Sequence, residues 1–155
     1  MDTPEEFIEK IHKFQNRLQA ELPKFVNKQA MNATGLIINR IQERGLNADE
    51  TQLGIYTSTP YKNKRKKAGR QTDYVDETFT RGGAGMLGST GIVQESYSEG
   101  VAMVKVAGRD EFTQNKLDWN GERYGDILNV TKAEDQLMLD NFEEFINDLI
   151  IEAGI

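Results

Sequence analysis

An apolar stripe at the N-terminus constrains this chain more than any other feature. Phe7, Ile11, Phe14, Leu18 and Leu22 follow one another at spacings of four, three, four and four, which puts them on one face of a helix. Thr3 suits the capping position and Pro4 the first helical position, while Glu5 and Glu6 sit at the positive end of the helix dipole. Pro23 lacks the N–H that a helix interior uses, so a break or kink is expected there. A second run, with Val26, Ala30, Ala33, Ile37 and Ile41 on one face, stops at Gly45. The two runs keep nearly the same phase across Pro23, which fits one long kinked helix or a helix split in two. A stripe of that length must be covered by something.

The candidate covers come later in the chain. Thr131 and Glu134 form a capping box, and Leu137, Phe142, Phe145, Ile146, Leu149 and Ile150 predict the buried face of a C-terminal helix over 131–152. "YVDETFT" (74–80), "TGIVQESY" (90–97) and "VAMVKVAG" (101–108) read as strands. The last two flank Ser98-Glu99-Gly100, a short hairpin turn. Residues 110–128 are irregular, with one short helix expected near 111–117. Residues 46–73 hold no sustained period, and Gly54, Pro60, Gly69 and a run of charge mark them as a long polar loop. That loop has room for two short strands, around 54–57 and 71–74. The expected architecture is α+β and a single domain over 1–155. An antiparallel β-sheet within 74–108 is packed by the long N-terminal helix and the C-terminal helix, with a long basic loop between. No internal repeat is present.

Length and composition fit that picture. A chain of 155 residues is long enough for one core. Its hydrophobic content of 37% and mean hydropathy of −0.62 lie on the polar side for a globular protein, so part of its apolar surface is expected to be buried by neighbouring subunits. There is no cysteine, which removes disulfides and thiolate metal sites. No apolar run approaches the ~20 residues of a membrane span, and "MDTPEEFIEK" has no signal-peptide character. A soluble protein made in a cytoplasm, with no membrane partner, is expected.

Three motifs invite chemical readings and fail on context. "GAGMLG" (83–88) satisfies G-x-G-x-x-G, but the dinucleotide fingerprint requires a helix opening at its third glycine. Here Gly88 leads into Ser89, Thr90, Gly91 and a β pattern. His12 is the only histidine, with no second ligand for a metal and no nucleophile to activate. Asp76/Glu77, Asp110/Glu111, Asp118 and Asp126 offer paired carboxylates, yet 25 of 155 residues are acidic and nothing nearby binds phosphate or attacks a substrate. No catalytic, cofactor-binding or metal-binding residues are assigned, and a non-enzymatic role is expected.

"YKNKRKKAGR" (61–70) is the unusual stretch. Lys62, Lys64, Arg65, Lys66, Lys67 and Arg70 place six cations in a chain of net charge −6. Without them 13 basic residues face 25 acidic ones, and the remainder stands at −12. The run has three readings: a solvated loop, a contact for nucleic-acid phosphates, or a dock for an acidic protein surface, this chain's own body included. Only Tyr61 and Tyr74 flank it, so no interleaved aromatic platform for single strands is formed.

The segment Arg81–Glu134, "RGGAGMLGSTGIVQESYSEGVAMVKVAGRDEFTQNKLDWNGERYGDILNVTKAE", resembles the second half of the phage virion-morphogenesis proteins of the head–tail joining, or tail-completion, type. "ATGLIINRIQERGLNADETQLGIYTSTPYK" (33–62) is similar to that family's helix end and following loop. Where family members carry an L-T-G-x-L-x-x-S box, this chain has "FTRGGAGMLGST" (79–90), with an arginine and extra glycines. The resemblance covers roughly residues 5–150. It implies an α+β structural subunit of the neck of a tailed-phage particle, forming a ring of six or twelve copies around the DNA passage. Partners are then the chain itself and adjacent connector or tail rings, with non-specific contact to genomic DNA, and no cofactor. A tail-terminator subunit and a small nucleic-acid-binding module are the alternatives. In the ring reading, Tyr61, Lys62, Lys64, Arg65, Lys66, Lys67 and Arg70 belong to an assembly arm that meets a neighbouring ring or, second, lumenal DNA.

Overall fold

The computed structural model describes residues 2–76, 90–98 and 101–155. Among these the chain is α+β. The N-terminal stripe forms one uninterrupted helix, α1 (Pro4–Asn39), that runs through Pro23. Thr3 and Glu6 close a capping box at its start, with Glu6 N–H donating to Thr3 Oγ1 at 3.2 Å and Thr3 N–H to Glu6 Oε2 at 2.7 Å. The helix does not stop after Asn39. Arg40–Arg44 continue it as a five-residue π-helical turn, a widened geometry that commonly marks a specialised position. Gly45 ends it at φ +64°. A Cβ there would lie 2.5 Å from the Tyr74 ring, and the Tyr74 hydroxyl donates to the Glu43 carbonyl at 2.6 Å. Glycine is required both for the backbone and for that ring.

α1 uses two flanks. Along one lies the C-terminal helix, here α4 (Lys132–Ala153), which runs antiparallel to it. Phe25 stacks on Phe145 with ring centroids 4.3 Å apart, Gln29 accepts from Asn141, and Arg17 pairs with Glu152. Along the other flank lies a two-stranded antiparallel hairpin, β1 (Thr90–Ser98) with β2 (Val101–Gly108). Its register runs from Thr90↔Gly108 to Ser98↔Val101, with a shift between Ile92 and Gln94 that leaves Val93 as an extra residue. Asn27 of α1 reaches across to Glu95 at 2.9 Å.

The core sits beyond these layers, at the π-turn end of α1. Ile37, Ile41, Leu53, Val75, Leu117 and Ile127 form it, with Ile38, Tyr56, Tyr124, Leu128 and Val130 packed around. Leu117 comes from α3 (Glu111–Tyr124), capped by Asp110, whose Oδ1 accepts from Thr113 N–H at 2.7 Å. Those backbone bonds hold the Asp110 carboxyl below its ordinary range. Arg40, only 2% exposed, closes the same end. Its guanidinium donates to the carbonyls of Ile127 (3.1 Å) and Asn129 (2.9 Å) and pairs with Glu134. Glu134 is at the same time the capping-box acid of α4, accepting from Thr131 N–H at 2.8 Å.

Several expectations are corrected. Residues 46–73 are not a long loop: α2 (Thr59–Lys67) lies within them, and neither 54–57 nor 71–74 is strand. Tyr74, Val75 and Asp76 are not strand either, because their side chains are taken up by Gly45, the core and a buried arginine; 77–80 lie outside the described residues. The helix expected near 111–117 extends to Tyr124. Phe7, Leu137 and Phe142, expected to be buried, are 49%, 47% and 41% exposed, since the α1–α4 seam is narrow and Leu149 and Ala153 carry its buried part.

Two capping boxes make a paired test. Glu134→Gln keeps a capping side chain but leaves Arg40 buried without its counter-charge. It should cost about 3 kcal/mol in urea unfolding, whereas Glu6→Gln, at an exposed box, should leave the midpoint nearly unchanged.

Candidate functional site

The basic run folds as α2 for reasons that can be named. Ser58 Oγ caps it by accepting from Tyr61 N–H, and Pro60 lies in the first turn. Lys64, Arg65, Lys66 and Lys67 fall in the last turn, where the negative end of the dipole stabilises cations. Gly69, at φ +68°, allows a closing motif in which Gly69 N–H bonds to Lys66 O and Arg70 N–H to Arg65 O, both at 3.0 Å.

Arg65 points inward. It is fully buried, with its guanidinium 2.6 Å from Asp76 Oδ2 and its Nε 2.8 Å from the Gln71 carbonyl. It also lies over the Tyr56 ring, 4.5 Å from the centroid. Asp76 takes further bonds from the Tyr56 hydroxyl (2.8 Å) and Gln71 Nε2 (2.6 Å). Tyr61, one turn before Arg65, packs at a tilt on Tyr56 with centroids 5.3 Å apart. Burial pushes the Tyr56 hydroxyl well above its usual pKa. The network is closed by residues on both sides of α2, so the helix is held from before and after.

Tyr61 and Arg65 therefore occupy the inner face, and Arg65 is not available to a partner. Lys64, Lys66, Lys67 and Arg70 are exposed, with Lys62 half-buried at the edge. The result is a short, fixed platform of cations, not a tether. Sequence reasoning missed Tyr56, Gln71 and Asp76 as its supports. In the sequence Asp76 stands out only as one half of a carboxylate pair with Glu77.

The other candidates are placed as follows. His12 is exposed on α1. Asp110 is a helix cap, Asp118 accepts from Gln114 at 2.7 Å, and Asp126 accepts from Asn129 N–H at 3.0 Å, so each carboxylate is engaged locally. Glu111 is exposed. Glu77 and the glycine-rich 83–88 lie outside the described residues. Among the described residues no group of three or more His, Cys, Asp or Glu is arranged to hold a metal, and no helix is long and apolar enough to cross a membrane. A separate groove of about 530 Å³ lies between α1 and the hairpin, lined by Leu18, Leu22 and Pro23 on one side and Tyr97, Val101 and Ala102 on the other.

No protein-family model, curated protein or solved structure matches this chain.

Two outcomes test the buried network. Asp76→Asn preserves shape but strips Arg65 of its counter-charge, and should destabilise the fold by roughly 3–5 kcal/mol, read by denaturant unfolding. The raised pKa of Tyr56 means the unfolded state releases its proton first. Its stabilising contribution is therefore complete below pH 10 and is lost as pH rises above 10 toward the folded-state value, by at most about 1.4 kcal/mol per pH unit. Tyr56→Phe should flatten the alkaline limb of the stability–pH curve.

Proposed function

We propose that this chain is a structural, non-enzymatic subunit of the neck of a tailed-phage particle, assembling with copies of itself into a ring around the DNA passage. The reading joins the resemblance over 33–62 and 81–134 to one observation about the hairpin. Val93, Tyr97, Val101 and Met103 are all more than 40% exposed on it, and β1 and β2 pair only with each other among the described residues. A ribbon that exposes apolar side chains to water is a surface that another chain covers. The imbalance is general. Among the described residues fifteen large hydrophobics are exposed against nine buried hydrophobics, more than scattered surface residues account for.

In this reading six or twelve copies close the ring, and its upper and lower faces meet adjacent connector or tail rings in the virion. A tail terminator is the variant in which the ring closes the tail itself. A nucleic-acid-binding module is the second reading, favoured by the exposed lysines of α2. It predicts a mobility shift of duplex DNA at low salt that disappears as salt rises.

Negative-stain imaging of the purified chain, alone and mixed with the products of its flanking genes, tests the first reading. Closed rings are expected, as are portal, capsid or tail-tube genes beside the reading frame. A chain that forms no ring under either condition and has no such neighbours overturns it.

A further inference from the structure

We infer that the cationic face of α2 docks on the acidic flank of α4 of a second copy. The inference rests on the self-associating reading above and names a contact for it. The observation behind it is a separation of charge within one chain. The segment Lys132–Ala153 carries seven acidic residues and one basic residue. Glu134 and Glu152 are engaged with Arg40 and Arg17. Asp140, Glu144 and Asp148 are exposed, four residues apart along one flank of the helix, where Glu144 and Asp148 border a groove shared with Lys28 of α1. Leu137 and Ile151, 47% and 72% exposed, lie at the two ends of that same stripe, at spacings of three from Asp140 and Asp148. A face with apolar ends and a carboxylate centre suits a partner that brings cations to its middle.

α2 brings them at a matching spacing. Lys62 and Lys66 are four residues apart, a rise of about 6 Å, and so are successive carboxylates of the stripe. Lys67 adds a third cation, exposed like Lys66. Arg65 fixes the helix from inside, so little backbone order is lost on docking. A polyanion such as DNA meets the same lysines but also the remaining −12 of the body, which opposes it at low salt. A second copy is also net negative, but its acidic helix offers discrete carboxylates at the lysine spacing while its own cations offset part of the repulsion. The two faces differ, so the contact is head to tail and propagates into a ring or an open filament according to its rotation.

Sedimentation velocity of the full chain, over a range of protein and salt concentrations, reads the contact. Lys66→Glu with Lys67→Glu should weaken self-association by about tenfold or more, and Glu144→Lys with Asp148→Lys should do the same. The chain carrying all four reversals should associate again, because the charges are exchanged and not lost. Lys66→Gln with Lys67→Gln, which spares the helix end two anions, should weaken association less and melt at the wild-type temperature. Unchanged association in the lysine variants overturns this contact while leaving a ring built through the hairpin standing. A wild-type chain that is monomeric throughout overturns this contact, while the ring reading is decided by imaging with the products of its flanking genes. A duplex-DNA shift abolished by the lysine reversals, with association intact, assigns the face to nucleic acid and overturns the inference.

Discussion

The structure depends on the buried guanidinium of Arg40. It lies at the first residue of the π-turn and is bonded to the backbone of Leu46, Ile127 and Asn129 and to the carboxylate of Glu134. Four separate stretches of chain thus meet at one side chain: the end of α1, the loop after it, the segment that leaves α3, and the first turn of α4. Burial pulls the Arg40 pKa down and Glu134 opposes it. Neither partner is comfortable alone in that environment. The ion pair therefore fixes where α4 begins relative to where α1 ends, and the Phe25–Phe145 stack farther along the seam follows from that register.

A second arginine solves a similar problem at α2. Arg65 meets Asp76, Gln71 and Tyr56 much as Arg40 meets Glu134 and the carbonyls. In both cases a guanidinium, with its five donors in a planar fork, gathers loop backbone that the modest apolar core does not reach. Ion pairs of this kind contribute little net stability over an apolar substitute, but breaking one side of them is costly. What they supply here is definition: the loops over 46–57 and 126–130 have one arrangement in which every cation is met.

The legible parts of the sequence were those whose signals are local. The α1 stripe, the Thr131–Glu134 box and the hairpin around 98–101 each carry their reason within a few residues. α2 was not legible because its reason is distant. Six cations in nine positions repel one another and argue for a solvated loop, until Asp76, eleven residues beyond Arg65, neutralises the one that is buried. The extent of α3 was hidden for another cause: Phe112 and Trp119 are 68% and 56% exposed, so the apolar period expected of a packed helix is absent, and its buried positions include Thr113 and Asn120. The strands expected at 54–57 and 71–74 failed because Tyr56 and Gln71 serve the arginine network. Of the candidate site, the position of the charge was readable, but its rigidity and the inward turn of Arg65 were not.

Rigidity changes what salt can do to this surface. A flexible basic loop and its contacts weaken together as ionic strength rises, since every charge is in water. Here the charge that holds α2 in place is the buried one. Screening over a Debye length of about 8–10 Å reaches the exposed lysines and hardly touches a pair sealed from solvent. The platform keeps its shape at salt concentrations that release whatever it holds. The association proposed for α2 would therefore be reversible by charge alone, with the fold left unchanged on both sides of the transition. That property fits the proposed assembly role, in which a subunit stays folded beforehand and joins its neighbours only when enough complementary charge is brought together.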